Sequence, residues 1–182
     1  MAEFAFLLSA CQVSWEITLI FLTIGSWHKG FDRLVKAVDE LKGRGIITDP
    51  VVAQLGDGGY EPANLDAAAY YAPEDFVRLI GEARMVIAHA GMGTIIEALN
   101  QRKPVVVVPR KATLGEANTD HQFDTAKQLE AEGKVLVAYE VDDLPNMLQQ
   151  AESFVVPGCV VSPELLDSVG TFIEAVRKQR YG

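Results

Sequence analysis

Cysteine is scarce. Cys11 and Cys159 are the only two in 182 residues, too few and too far apart for a disulfide framework, and neither sits in a CxxC pair. Both thiols are expected to be free, as in a reducing compartment. Histidine is as sparse: His28, His89 and His121 show no HExxH-type spacing, which argues against a zinc site held by this chain alone. Positive charge is also short, with Lys+Arg 16 against Asp+Glu 25 and a net charge of −9. A nucleic-acid binder needs a cationic footprint to neutralise phosphates, so non-specific DNA or RNA binding is excluded. The same charge repels anionic lipid surfaces. One long apolar stretch exists, residues 4–24, with Glu16 as its only charge, close to the ~20 residues a membrane span needs. It is broken by Ser9, Gln12, Ser14, Thr18 and Thr23, and no Lys or Arg precedes Lys29, so it lacks the basic start of a signal peptide. Its end, Leu19 to Ile24 before Gly25-Ser26, reads as a buried strand instead. Residues 1–16 read as a leader of unknown role, and residues 17–182 as a single domain.

What is present is a globular composition, 49% hydrophobic and 23% charged. A chain of this length buries roughly 70% of the surface its unfolded form exposes, enough for a full core without metal or disulfide. The spacing predicts strands at 19–24, 51–55, 67–71, 85–88, 104–108 and 134–138. Between them it predicts helices at 32–41, from Pro73-Glu74 onward, at 95–100 and at 119–132, with 56–65 as a loop rich in Gly, Asn and Pro. Leu34, Val35, Val38 and Leu41 share one face of the first helix, and Gly43-Arg44-Gly45 stops it. A last helix beyond Pro163 carries a stripe of Leu165, Leu166, Val169, Phe172, Ile173 and Val176, read as core or as a docking face. Strand and helix alternate throughout, which predicts an α/β, doubly wound, Rossmann-like parallel sheet with helices on both faces.

In such a sheet, ligands bind beyond the carboxyl ends of the strands. Three places there carry chemistry. Gly25-Ser26 ends the first strand in a flexible turn that lets backbone approach a phosphate. His89-Ala90-Gly91-Met92-Gly93-Thr94 follows the fourth strand and opens a helix whose N–H groups and dipole suit a diphosphate. One turn on, Glu97 is placed to accept hydrogen bonds from two ribose hydroxyls. Pro109-Arg110 and the stretch from Gly115-Glu116 through Asp120-His121-Gln122 form a polar loop matched to sugar hydroxyls. Read as packing alone, the glycines are turn residues, Glu97 is a first-turn dipole partner, and Asp120 or Thr119 caps a helix.

Taken together, these residues resemble the nucleotide-sugar-binding half of glycosyltransferase family 28. Ile20 through Ser26 with Phe31-Asp32-Arg33-Leu34-Val35-Lys36-Ala37-Val38 is similar to the family's opening strand and first helix. His89 through Leu99 resembles its HAGxGT-xxE-AL motif. Lys103-Pro104 through Pro109-Arg110, then Gly115-Glu116 and Asp120-His121-Gln122, resembles its KPxxxVPR and GE…DHQ motifs. The likeness runs in order over residues 17–148. Ala117-Asn118-Thr119 departs from the His and second acid that relatives carry there. Within the family the chain is similar to the PssE-type subunits of bacterial exopolysaccharide glucuronosyltransferases. The dolichol-pathway UDP-GlcNAc transferase subunit is a more distant relative, and MurG resembles a fused version.

The resemblance implies one half of a GT-B fold that holds a UDP-sugar, with glucuronic acid or GlcNAc as the sugar. A membrane-anchored, PssD-like subunit would supply the acceptor half and, through it, a lipid-linked saccharide acceptor. The chain is then expected to be cytoplasmic, peripheral at the inner face of the membrane through that partner. The transfer would be inverting, with no cofactor and no metal. Backbone N–H groups at Gly25, Gly91 and Gly93, the helix start at Thr94, and Arg110 would stabilise the leaving UDP. Glu97 would hold the ribose, and Glu116, Asp120, His121 and Gln122 would face the donor sugar. The general base is His89, His121 or a residue of the partner. Two other readings use the same motifs: a non-catalytic nucleotide-binding regulatory subunit, and a self-sufficient homodimeric glycosyltransferase.

Overall fold

The computed structural model describes residues 18–26, 29–57 and 59–157. The expectations placed on the leader, on His28, on both cysteines and on the last helix lie outside the described residues. In chain order the elements are β1 (Leu19–Thr23), α1 (Asp32–Gly43), β2 (Val51–Gln54), β3 (Asp66–Ala68), α2 (Pro73–Glu82) and β4 (Ala83–His89). They continue with α3 (Met92–Asn100), β5 (Val105–Val108), α4 (His121–Ala131), β6 (Leu136–Val137) and α5 (Leu144–Ala151).

All the strand pairs are parallel, in the order β3-β2-β1-β4-β5-β6. The chain starts in the middle, winds outward one way, then returns to build the other side, so β1 and β4 flank the point where the winding reverses. Burial on both faces follows from period-two alternation. Ile20, Leu22, Met85, Ile87, Val106 and Val108 pack in one cluster with Leu34, Val35 and Val38 of α1 and Leu144 and Leu148 of α5. Phe21, Val86, Ala88, Val105 and Val107 pack on the opposite face with Leu79 and Ile80 of α2, Ile95 and Leu99 of α3, and Ala126 of α4. Four consecutive valines in β5 therefore serve two cores at once.

Several elements differ from the sequence expectation, and three of the differences matter most. The strand predicted at 67–71 is Asp66–Ala68; beyond it the Gly56 amide still donates to Ala69 O at 2.8 Å, and the Tyr71 amide donates to the Gln54 side chain at 3.2 Å. The helix predicted at 119–132 begins at His121, and Asp120, at the N-cap position, does not cap it. Helix α5 was not anticipated, although Leu144, Leu148 and Ala151 are its buried positions at helical spacing. The loop after β2 is held by buried Asp39, which accepts from Tyr60 Oη at 2.8 Å, Ala63 N at 3.1 Å and Asn64 N at 2.7 Å. Burial opposes the charge on Asp39, but these hydrogen bonds outweigh it and hold the carboxyl below its usual pKa. Among the described residues, no helix is long and apolar enough to cross a membrane.

Candidate functional site

Register decides which loops meet. Thr23 pairs with Gln54 on one side and with Ala88 on the other, and His89 pairs with Val108. The residues just past these pairs therefore converge at the carboxyl edge, and a cavity of about 510 Å³ opens there. It brings together Gly25, Ser26, His89, Gly91, Gly93, Thr94 and Glu97.

The imidazole of His89 is wedged between two glycine turns. A Cβ added to Gly91 would lie 2.2 Å from His89 Nε2, and one added to Gly25 would lie 2.5 Å from His89 Cε1. Real Cβ atoms do not come that close, so both positions exclude every other residue while the ring stays in place. Gly25 is bound a second way, since its φ of 80° is costly for any side chain. Burial pushes the His89 pKa down to about 4; the nearby Arg110 guanidinium adds to the shift and the Thr23 backbone opposes it. At neutral pH the ring is uncharged, with one N–H to donate.

Helix α3 starts at Met92, and Gly91 before it is extended with no side chain to cap the first amides. Those amides and the helix dipole make the turn a site for negative charge. Glu97 lies on the cavity wall, and its Oε1 accepts from Gln101 Nε2 at 2.6 Å.

The other half of the wall was missed in the sequence. Gln54, Tyr70, Tyr71, Pro73, Phe76 and Val77 complete the cavity. Phe76 and Tyr71 both meet Phe21 edge-on, at 5.4 and 6.3 Å between ring centroids. Tyr70 Oη donates to Asp57 at 2.9 Å. The signal was the Tyr70-Tyr71 pair just before a helix-opening proline; only the position of β2 and β3 beside β1 brings it to the switch point.

The β5 side behaves differently: its polar side chains are engaged within the protein. Arg110 is fully buried and points inward, not toward the cleft. Its Nη1 donates to the carbonyls of Lys29, Gly30 and Glu116 at 2.9, 2.9 and 3.1 Å, and Nη2 donates to Ile24 O at 2.8 Å. The guanidinium also lies 4.8 Å from the centroid of the Phe31 ring. Arg110 thus ties down both ends of the β1–α1 loop and touches no part of the cavity. Glu116 is likewise engaged: it receives Arg33 Nε at 2.9 Å and Nη2 at 3.0 Å as a fork, and the Lys111 amide at 2.8 Å. Its carboxylate thus accepts three hydrogen bonds from within the protein.

Gln122 is buried and its Oε1 accepts the Arg110 amide at 3.1 Å. Asp120 accepts the Ala112 amide at 2.9 Å. His121 is exposed, with Nδ1 against the Thr119 hydroxyl. Glu116 faces a separate hollow of about 390 Å³ with Lys29, Asp32 and Arg33. Asp120 faces a third, of about 200 Å³, with Lys111 and Phe123. No group of three or more His, Cys, Asp or Glu able to hold a metal occurs among the described residues.

A six-stranded parallel sheet with this winding, with glycine turns on both sides of its switch point and a carboxylate one helical turn away, defines a Rossmann-like α/β half. Comparison with known proteins then narrows the class. Residues 19–153 match the glycosyltransferase family 28 C-terminal domain, and the chain belongs to that family. It is 32% identical over 123 residues to the human UDP-N-acetylglucosamine transferase subunit ALG13, covering 63% of this chain and 10% of the human protein. With the Cryptococcus neoformans ALG13 subunit it shares 38% over 77 residues, 41% of this chain and 36% of that one. The chain therefore spans about a tenth to a third of these relatives' lengths.

Among solved structures, the fold matches that of ALG13 with a TM-score of 0.55 at 18% identity, over 80% of this chain and 90% of that one. It matches the glycosyltransferase of kitacinnamycin with a TM-score of 0.57 at 19% identity, over 88% of this chain and 39% of the other. The chain is thus one half of a GT-B fold.

Proposed function

We propose that this chain is the donor-binding half of a two-component glycosyltransferase that takes a UDP-sugar. The observation that carries the reading is the His89 ring held between Gly25 and Gly91 at the mouth of α3, with Glu97 on the same wall. The diphosphate lies on the glycine turns, where the α3 amides and the neutral His89 N–H donate to it. The ribose hydroxyls donate to Glu97, and the base lies along the Tyr71–Phe76 side, whose flat apolar surface suits a ring. Family membership and the names of the ALG13 relatives support UDP-GlcNAc or a related donor such as UDP-glucuronate.

In the transfer, an acceptor hydroxyl oxygen bonds to the anomeric carbon from the face opposite the diphosphate. The bond from that carbon to the phosphate oxygen breaks with its electron pair going to UDP, and configuration inverts. The proton goes to a base. His89 is committed between the phosphate-binding turns, so the base is His121 or a group on the acceptor side. In this reading a second subunit completes the cleft, in keeping with the ALG13 relatives being named as subunits of a transferase. We place that subunit at the membrane, with a lipid-linked saccharide as acceptor, and this chain on its cytoplasmic face.

Titration calorimetry of the purified chain with UDP, UDP-GlcNAc, UDP-glucuronate and UDP-glucose, without added metal, tests the reading. Binding of UDP, strengthened by one of the sugars, is expected. Absence of UDP binding both alone and with a co-expressed partner would overturn it.

A further inference from the structure

Gln101 stands just past the end of α3, outside every motif noted in the sequence, yet it joins two walls of the cavity. Its Nε2 donates to Glu97 Oε1 at 2.6 Å and to the Val77 carbonyl of α2 at 3.1 Å. Both partners are acceptors, so the amide has one consistent orientation, nitrogen toward Glu97 and Val77. The side chain needs room to get there. A Cβ on Gly81 would sit 2.7 Å from Gln101 Oε1, so the small residue in α2 and the glutamine after α3 fit each other. The backbone fixes the base of the side chain as well, because the Gln101 amide donates to Glu97 O at 3.2 Å.

From this geometry we infer that Gln101 is a positioning residue for ribose recognition. By holding Glu97 Oε1 from behind, it keeps the carboxylate turned into the cavity, and its bond to Val77 ties that orientation to the α2 wall. Without Gln101 the carboxylate samples other rotamers and is solvated between them, and its hydrogen bonds to vicinal hydroxyls weaken. The inference rests on the ribose reading of Glu97 given above.

The test is a comparison of UDP with 2′-deoxy-UDP, measured by calorimetry on the full chain. A ligand lacking one hydroxyl loses a hydrogen bond to a carboxylate, so the parent chain is expected to prefer UDP by about 10-fold or more. Glu97→Ala removes that preference. Gln101→Met is expected to reduce it to about 3-fold or less, while binding of the deoxy ligand stays within about 2-fold of the parent. Gln101→Lys places a donor four residues after Glu97, a favourable helical pairing, and restores most of the preference. Gln101→Glu repels Glu97 and does not. Thermal unfolding of each variant reports whether the fold is kept, and the Lys and Glu variants decide the matter if the Met variant does not fold. Should Gln101→Met and Gln101→Glu keep the parent preference while Glu97→Ala loses it, Gln101 has no positioning role and the ribose reading stands. Should Glu97→Ala keep the preference, the ribose reading itself fails and this inference with it.

Discussion

The two sides of the carboxyl edge use polar residues in opposite ways. On the β1–β4 side the chain removes side chains, with glycine at 25, 91 and 93, and leaves a carboxylate, an imidazole and helix amides around an open cavity. On the β5 side it adds polar side chains and then engages them internally: Arg110 on four carbonyls, Glu116 on Arg33, Gln122 on the Arg110 amide. The lesson is that a polar motif at the ligand-binding edge of a sheet is not by itself a ligand contact. One side leaves an open cavity, and the other holds the neighbouring loop in shape.

That contrast is sharpest at Arg110. Arg110→Ala leaves four carbonyls without this donor, two of them buried and two half-buried, and Glu116 with less positive charge nearby, so a loss of about 3–5 kcal/mol is expected, seen as a fall of about 10 °C in the thermal midpoint. A variant that kept its midpoint and lost only UDP affinity would mean that Arg110 touches the ligand and that the two sides are alike.

The next effect is on pH dependence. Burial holds the pKa of His89 in the folded chain at about 4, below the ordinary imidazole value of 6.5. Between these values the unfolded chain binds more protons, so stability is full above about pH 6.5 and falls as pH drops toward 4, by about 3 kcal/mol in all. In His89→Asn that part of the slope in a denaturation series from pH 7 to pH 4 should vanish; an unchanged slope would place its source elsewhere.

Smaller still is Gly91→Ala, whose new methyl meets the imidazole at 2.2 Å from Nε2. A loss of about 1–3 kcal/mol in stability is expected from overpacking, together with a fall of about 10-fold or more in UDP affinity as the ring is displaced. Gly93→Ala, with nothing within 4 Å of the added Cβ, serves as the comparison in the same calorimeter and should show less of both. The mildest is Glu116→Gln, which weakens the fork to Arg33 for about 1 kcal/mol and leaves UDP affinity within about 2-fold of the parent. A selective loss of affinity for one UDP-sugar would return Glu116 to the donor.

Most of the fold was legible because each strand is a short apolar run between turn residues, and the valines of β5 have no plausible alternative. The β1–β4 half of the site was legible for a related reason: glycines beside a histidine and a glutamate have few structural uses at a helix start. The orientation of Arg110 was not, since a guanidinium reads the same in sequence whether it faces a phosphate or a set of carbonyls. Tyr70, Tyr71 and Phe76 escaped because their place depends on β2 and β3 lying beside β1, a matter of crossover rather than of local pattern. Helix α5 escaped because its eight residues give barely two turns of periodicity.

The wedged ring of His89 has a further consequence. It acts as a spacer: the width of the slot between the two glycine turns is the thickness of an imidazole, so positions 25, 89 and 91 form a single gauge read by three residues. A side chain at 25 or 91 is tolerated only with change at 89, and descendants that admit one are expected to carry something thinner than histidine there. A designer wishing to widen the slot would therefore begin at residue 89 and leave both glycines alone.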